Sequence, residues 1–105
     1  MIQKYNILLS AKAKEDIKNI VFYIKNVLKE PDIAGKYARM MEKEINELCY
    51  FPQRNMIIDD NIIVDLKIRK HVIKNYIIFY RISEENSMVN IERILHSSAD
   101  WINEL

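Results

Sequence analysis

The densest chemistry in the sequence is cationic. Lys67, Arg69, Lys70, Lys74 and Arg81 fall within fifteen positions that contain no Asp or Glu. Such a run can hold phosphate oxygens, and an arginine in it can stabilise charge developing on a phosphoryl group. A solvated strand face also carries Lys and Arg, so the run alone leaves both uses open. A second candidate lies near the C-terminus, where Arg93, His96 and Asp100 fall close together and His96 stands where a strand gives way to a helix. A histidine at such a position can act as general acid or base in RNA cleavage, or bond to the backbone of a turn. His71, in mid-strand among cations, is the weaker candidate. No Gly-rich phosphate loop, nucleophile elbow, His-Glu-x-x-His or paired His/Cys cluster occurs, which leaves most enzyme classes without support. Asp59-Asp60 suits a turn better than a metal pair. Cys49 and the aromatic residues Tyr76, Phe79, Tyr80 and Trp101 suit packing, although aromatics can also stack on bases.

The elements that must position these residues follow from hydropathy. Lys4 to Leu9 alternates and reads as a strand ending at Ser10, a good helix N-cap. Ala13, Ile17, Ile20, Val21, Ile24, Val27 and Leu28 then repeat at three- and four-residue spacing, the mark of an amphipathic helix with these residues facing the core. Pro31 stops that helix, and Asp32 caps a second one whose stripe is Ile33, Ala34, Tyr37, Met41, Ile45 and Leu48. Gly35 within it costs on the order of 1 kcal/mol relative to alanine. Pro52 closes the segment. Helices joined so tightly should lie antiparallel and cover one face of a sheet.

Residues 53–65 are mixed, with a turn expected at Asp59-Asp60-Asn61. Three strands follow, Leu66 to Ile73, Tyr76 to Ser83 and Met88 to Leu95, as an antiparallel meander. Tyr76 to Ile82 is apolar on both sides, as in a central strand covered on both faces. Alternation puts Leu66, Ile68, Lys70 and Val72 on one face of the first meander strand and Lys67, Arg69, His71 and Ile73 on the other, the second set being the expected solvent face. A two-residue Lys74-Asn75 loop and a three-residue Ile73-Lys74-Asn75 loop would place Arg81 on opposite faces. Ser97 or Ser98 can cap a last helical turn through Trp101 and Leu105. The expected fold class is α+β: an N-terminal strand, a helical hairpin packed on a twisted, largely antiparallel sheet, and a short C-terminal helix, in one domain spanning 1–105.

With 105 residues, half of them hydrophobic and 30% charged, the chain can build one core without staples. One cysteine excludes an internal disulfide framework, and with two histidines leaves no usual zinc ligand set. No metal and no cofactor are expected. No signal-like or membrane-length apolar run is present, so a cytoplasmic protein without a membrane partner is expected. The formal net charge of +1 argues against general, sequence-blind nucleic-acid binding. It hides the local cluster, because residues 51–105 carry seven cations against eight acids.

In order and spacing, several segments together resemble the RelE/ParE superfamily of bacterial type II toxin–antitoxin toxins. They are Tyr5-Asn6-Ile7-Leu8-Leu9-Ser10 with Ala13 and Asp16-Ile17; Leu48-Cys49-Tyr50-Phe51-Pro52; Ile68-Arg69-Lys70; Asn75 to Ile82; and Arg93-Ile94-Leu95-His96 with Asp100. The resemblance implies the fold above and a plasmid-stabilisation type of toxin, neutralised by a cognate antitoxin that wraps it with an extended or helical segment in a hetero-oligomer. RelE-like members cut messenger RNA at the ribosome, whereas ParE-like members inhibit DNA gyrase without a nuclease site. Ile77 stands after Tyr76 where nucleases commonly carry arginine, and Ser97-Ser98-Ala99-Asp100-Trp101 replaces a basic or tyrosine-bearing tail, so the ParE branch is the nearer. If the chain is a nuclease, His96, Arg69 and Arg81 are its implied catalytic set. Lys67, Arg69, Lys70 and Arg93 are the candidate phosphate ligands. A decayed, non-toxic antitoxin-binding module is the third expectation.

Overall fold

A computed structural model describes residues 4–105. Strand β1 (Asn6–Leu9) leads into helix α1 (Ala11–Phe22), which continues into a π-helical turn (Tyr23–Val27), and helix α2 (Pro31–Glu47) returns antiparallel to it. Short 3₁₀ turns at Pro52–Arg54 and Val64–Leu66 connect to the meander β2 (Arg69–Ile73), β3 (Tyr76–Ser83) and β4 (Met88–His96), followed by the four-residue helix α3 (Trp101–Glu104). The sheet order is β1-β4-β3-β2, with β1 parallel to β4 and the meander antiparallel.

Local chemistry explains most boundaries. Ser10 takes extended backbone angles and its Oγ accepts the Ala13 N–H at 2.9 Å, satisfying a donor the first turn leaves free. The same hydroxyl donates to the Glu92 carbonyl at 2.7 Å, tying the helix start to β4. The start of α2 corrects the expected Asp32 cap. Pro31 occupies the first helical position, where its missing N–H costs nothing and its fixed φ is already helical, so Asp32 falls in the first turn and Glu30 takes the cap position. The C-terminal helix differs in the same way: Asp100, not Ser97 or Ser98, stands at its cap.

The helical stripe is also shorter than expected. Val27 and Leu28 are 58% and 52% exposed. The Leu28 N–H reaches back five residues to the Tyr23 carbonyl at 3.0 Å, and this wider turn carries both side chains off the stripe that Ala13 and Ile24 continue into the core.

Two apolar layers enclose the sheet. Tyr5, Ala13, Met41, Ile45, Leu48, Ile78, Tyr80 and Ile91 form the main core between hairpin and sheet. Ile58, Ile63, Ile68, Ile77 and Phe79 form a second cluster on the opposite face, with Trp101, Ile102 and Leu105 packed against it. Hence β3 is apolar on both sides: Ile78 and Phe79, adjacent and pointing oppositely, are both fully buried. The mixed segment 53–65, with its turn after Asp60, supplies part of that second cover.

Register decides which residues face which layer. Ile73 pairs with Tyr76, so the loop is the two-residue Lys74-Asn75, with Lys74 at φ 51°. Arg69, His71 and Ile73 thus lie opposite Tyr80, Ile78 and Tyr76 and share the face covered by helices. This reverses the expected solvent face: Ile73 is buried, while Val72 is 59% exposed. Lys67 sits outside the strand in a left-handed conformation (φ 55°), and Leu66 belongs to a 3₁₀ turn. In β4 a bulge between the Phe79–Arg93 and Tyr80–Ile91 pairs adds one residue. It lets Val89, Ile91 and Ile94, which break strict alternation, all enter the main core.

Candidate functional site

The cations of the meander do not form one patch. Arg69, on the helix-facing side of β2, is half-buried and donates from Nη1 to the Asn55 carbonyl. Lys70 lies on the opposite face with Nζ 5.8 Å from the centre of the Trp101 ring, an approach that favours a cation over the ring's negative face. Lys67 is exposed at the end of the 3₁₀ turn. Arg81 is exposed beside Asn90 of β4 and lines a cleft of about 310 Å³ together with Ser10, Lys12, Leu66 and Arg93.

Arg93 is engaged inside the fold. Its Nε and Nη2 meet the two carboxylate oxygens of Asp16 at 2.8 and 3.0 Å, and Nη1 donates to the carbonyl and Oε2 of Glu104, both at 3.2 Å. The Ile94 N–H donates to Asp16 Oδ2 at 2.9 Å. The fork matches a carboxylate in two parallel bonds, and this pairing raises the Arg93 pKa further above its ordinary value. One residue thereby fastens α1, β4 and α3 together.

His96 ends β4 in different surroundings. Its Nδ1 accepts the Ser98 N–H at 3.1 Å and faces Ser98 Oγ at 2.7 Å, which assigns the ring proton to Nε2. The ring stands edge-on to Tyr76 (5.3 Å, 84°), and Tyr76 edge-on to Tyr37 (5.8 Å, 80°). Burial raises the Tyr76 pKa, keeping the phenol neutral. His96, Tyr76, Tyr37 and Tyr23 line one groove of about 710 Å³ between the hairpin and the sheet end.

A further polar cluster escaped the sequence reading. His71 Nε2 meets Glu44 Oε2 at 2.8 Å, and its Nδ1 faces Asn55 Nδ2 at 2.9 Å. Asn55 Nδ2 also donates to the Tyr80 hydroxyl at 3.1 Å, which in turn donates to the Pro52 carbonyl at 2.7 Å. Both imidazole nitrogens are occupied, so His71 braces the 52–58 segment against α2 and is not free as a base. The signal for it was the placement of His71 two residues before Ile73 on one face, legible only once that face is known to be covered. Among the described residues no cluster of three or more His, Cys, Asp or Glu is arranged to hold a metal, and no helix is long and apolar enough to cross a membrane.

Comparison with known proteins bears on the family and the fold. The family model described as the ParE toxin of type II toxin–antitoxin systems, parDE, matches residues 7–101. No curated protein matches the sequence. Among solved structures, the chain resembles one from the chromosomal ParDE toxin–antitoxin system of P. aeruginosa, with a TM-score of 0.72 at 16% identity over 90% of this chain and 97% of that one. It also resembles a chain of the toxin–antitoxin complex RelBE2 from Mycobacterium tuberculosis, with a TM-score of 0.63 at 20% identity over 91% of this chain and 94% of that one. At such identities the likeness shows a shared fold.

Proposed function

Because the chain belongs to the ParE toxin family of type II toxin–antitoxin systems, we propose that it arrests growth in the cytoplasm by binding DNA gyrase, without catalysis of its own, and serves a plasmid-stabilisation module. A cognate antitoxin neutralises it in a complex of the two proteins. The solved structures that share the fold come from toxin–antitoxin systems, which supports such a partner.

The observation that carries this reading is the dispersal of the groups an RNA-cleaving site needs. A general acid, a base and phosphate-binding cations must converge within hydrogen-bond reach of one phosphate. Here Arg69 is held by Asn55 on the helix side of the sheet and Arg93 by Asp16 and Glu104. Arg81 lines a cleft on the other face, and His96 lines a separate groove. A protein-binding toxin requires no such convergence. The test is to add the purified chain to DNA gyrase and follow supercoiling and DNA-break formation: loss of supercoiling or accumulation of breaks is expected, and unimpaired gyrase at a large molar excess of toxin refutes the reading.

One observation favours messenger-RNA cleavage as the second reading. His96 stands edge-on to Tyr76 with Nε2 not engaged by Ser98, and Arg81 is exposed. Mapping RNA ends after induction separates the two, since cut transcripts select the nuclease and intact transcripts with broken DNA select gyrase.

A further inference from the structure

The connection between α2 and β2 runs along the outer edge of the sheet and touches it sparsely. Among the described residues it makes one bridge to β2, Ile57 with Arg69, and the Ile58 N–H donates to the Ile68 carbonyl at 2.8 Å. Upstream, Gln53 is held by Tyr5 and Glu84, while Arg54 donates only to the carbonyls of Glu47, Tyr50 and Phe51. Between Gln53 and the bridge the tie is Asn55. Its Nδ2 stands 2.9 Å from His71 Nδ1 and 3.1 Å from the Tyr80 hydroxyl, and its carbonyl accepts from Arg69.

The donors and acceptors of this junction fit together in one way. The Tyr80 hydroxyl gives its proton to the Pro52 carbonyl at 2.7 Å, so it meets Asn55 as an acceptor and requires the amide nitrogen there. His71 Nδ1 faces the same nitrogen and must also accept, which places the ring proton on Nε2, 2.8 Å from Glu44 Oε2. Neutral His71 thus donates to α2 and accepts from the connection. A second proton can go only to Nδ1. It adds charge to the Glu44 contact and sets N–H against N–H at Asn55. Turning the amide over is no remedy, because fully buried Tyr80 could donate to Oδ1 only by abandoning Pro52.

The charges around the ring act in both directions. Glu44, in direct contact, favours the protonated ring, as do Asp59 and Asp60, which line a pocket of about 750 Å³ with His71. Arg69 on the same strand face, Arg54 in the connection and Lys70 in that pocket oppose it. Histidine is the side chain that ordinarily changes charge between about pH 5 and 8. The His71 and Glu44 side chains are 16% and 31% exposed, shielded yet within reach of a solvent proton.

We propose that His71 is a proton-operated latch: neutral, it holds residues 55–57 against the outer edge of β2, and protonated, it keeps Glu44 and releases that segment. Release loosens the strap that carries Met56 and opens the β2 edge beside Val72, two residues already 86% and 59% exposed. The device depends on neither gyrase binding nor RNA cleavage.

The test follows amide exchange of the full chain by NMR at about pH 8 and about pH 5.5, each rate corrected for its intrinsic pH dependence, with the imidazole nitrogen shifts recorded alongside; carboxylates ordinarily stay ionised across this range. The His71 Nδ1 gains its proton, and the Ile58 N–H opens about ten-fold more often at the lower pH, while the Ile78 N–H in β3 does not change. His71→Gln abolishes the response, with circular dichroism confirming the fold. Asn55→Asp reverses it, because only a protonated ring can donate to carboxylates at both nitrogens, so acid then tightens the segment. Nδ1 already protonated at about pH 8, an Ile58 amide indifferent to pH, an Ile78 amide that opens in step with it, or an Asn55→Asp variant that loosens in acid like the parent would each overturn the proposal. If His71→Gln does not fold, the parent titration and the sign of the Asn55→Asp response decide it.

Discussion

Removing the Asp16 carboxylate should be among the most damaging single changes outside the apolar core. It accepts three hydrogen bonds, two from Arg93 and one from the Ile94 N–H. The side chains of Arg93 and Asp16 are 16% and 12% exposed, so little water is present to replace them. In Asp16→Ala the guanidinium keeps only Glu104, whose side chain is 52% exposed, and the Ile94 N–H is orphaned. Breaking a buried pair by deleting one partner costs about 3–5 kcal/mol, and the remaining Glu104 contact and partial solvation place this case near about 3 kcal/mol. With a urea m-value of about 1.5 kcal/mol/M for a domain of this size, the unfolding midpoint falls by roughly 2 M. Replacing both partners with apolar residues, Asp16→Leu with Arg93→Met, should restore stability to within about 1 kcal/mol of the parent, because no uncompensated charge remains. The measurement is a double-mutant cycle by urea unfolding. A loss below about 1 kcal/mol in Asp16→Ala, or single costs that simply add in the double variant, would refute the reasoning and return Arg93 to the pool of free cations.

Other perturbations follow from the same geometry. Tyr80→Phe removes a fully buried hydroxyl that bonds both Pro52 and Asn55, and should cost about 1–3 kcal/mol by urea unfolding while exposing the 52–58 segment to faster amide exchange. Gly35→Ala should stabilise by about 0.5–1 kcal/mol, because the position is helical and an added Cβ meets only the flexible Arg39 guanidinium at 3.3 Å; a loss of stability would show that Arg39 cannot yield. Ser10→Ala removes both a helix cap and the bond to the Glu92 carbonyl, and a drop of about 1–2 kcal/mol in unfolding free energy is expected. Hydrogen bonds from Tyr5 and Gln53 lower the Glu84 pKa, so the stability this carboxylate contributes is present above its unfolded value and is lost as pH falls through its folded value. Glu84→Gln should therefore be less stable than the parent at about pH 7, with the gap narrowing toward about pH 3.5, as thermal unfolding at both values will show.

Much of the fold is legible along the chain because it rests on short-range chemistry. Ser10 announces the first helix, Lys74-Asn75 is a hairpin loop, and the doubly apolar Tyr76–Tyr80 run marks a strand covered on both faces. The misplacements share one origin. Val27 and Leu28 keep helical spacing in sequence, and only a widened turn removes them from the core. Asp32 is an acceptable cap, but Pro31 fits the first helical position better. Arg69 and His71 resemble solvent-facing residues until the loop length and the helical cover fix their side of the sheet.

The candidate site divides in the same way. Types and spacing alone gave the residues, from the cations of β2 and β3 to His96 before a serine pair, and with them the family resemblance. What those residues do was decided by partners far away in sequence. Asp16 claims Arg93 across 77 positions, Glu44 claims His71 across 27, and Tyr37 of α2 lies in one groove with His96. Alternation specifies that a strand has two faces and a helix one stripe, since each is a local consequence of backbone geometry. Which face is covered, which cation is already neutralised and which apolar residues are left without cover depend on the register of β2 on β3, the bulge in β4 and the crossing of the chain by the hairpin. Those are properties of the assembled fold, and they separate the engaged Arg93 and the braced His71 from the exposed Arg81, Val27 and Leu28.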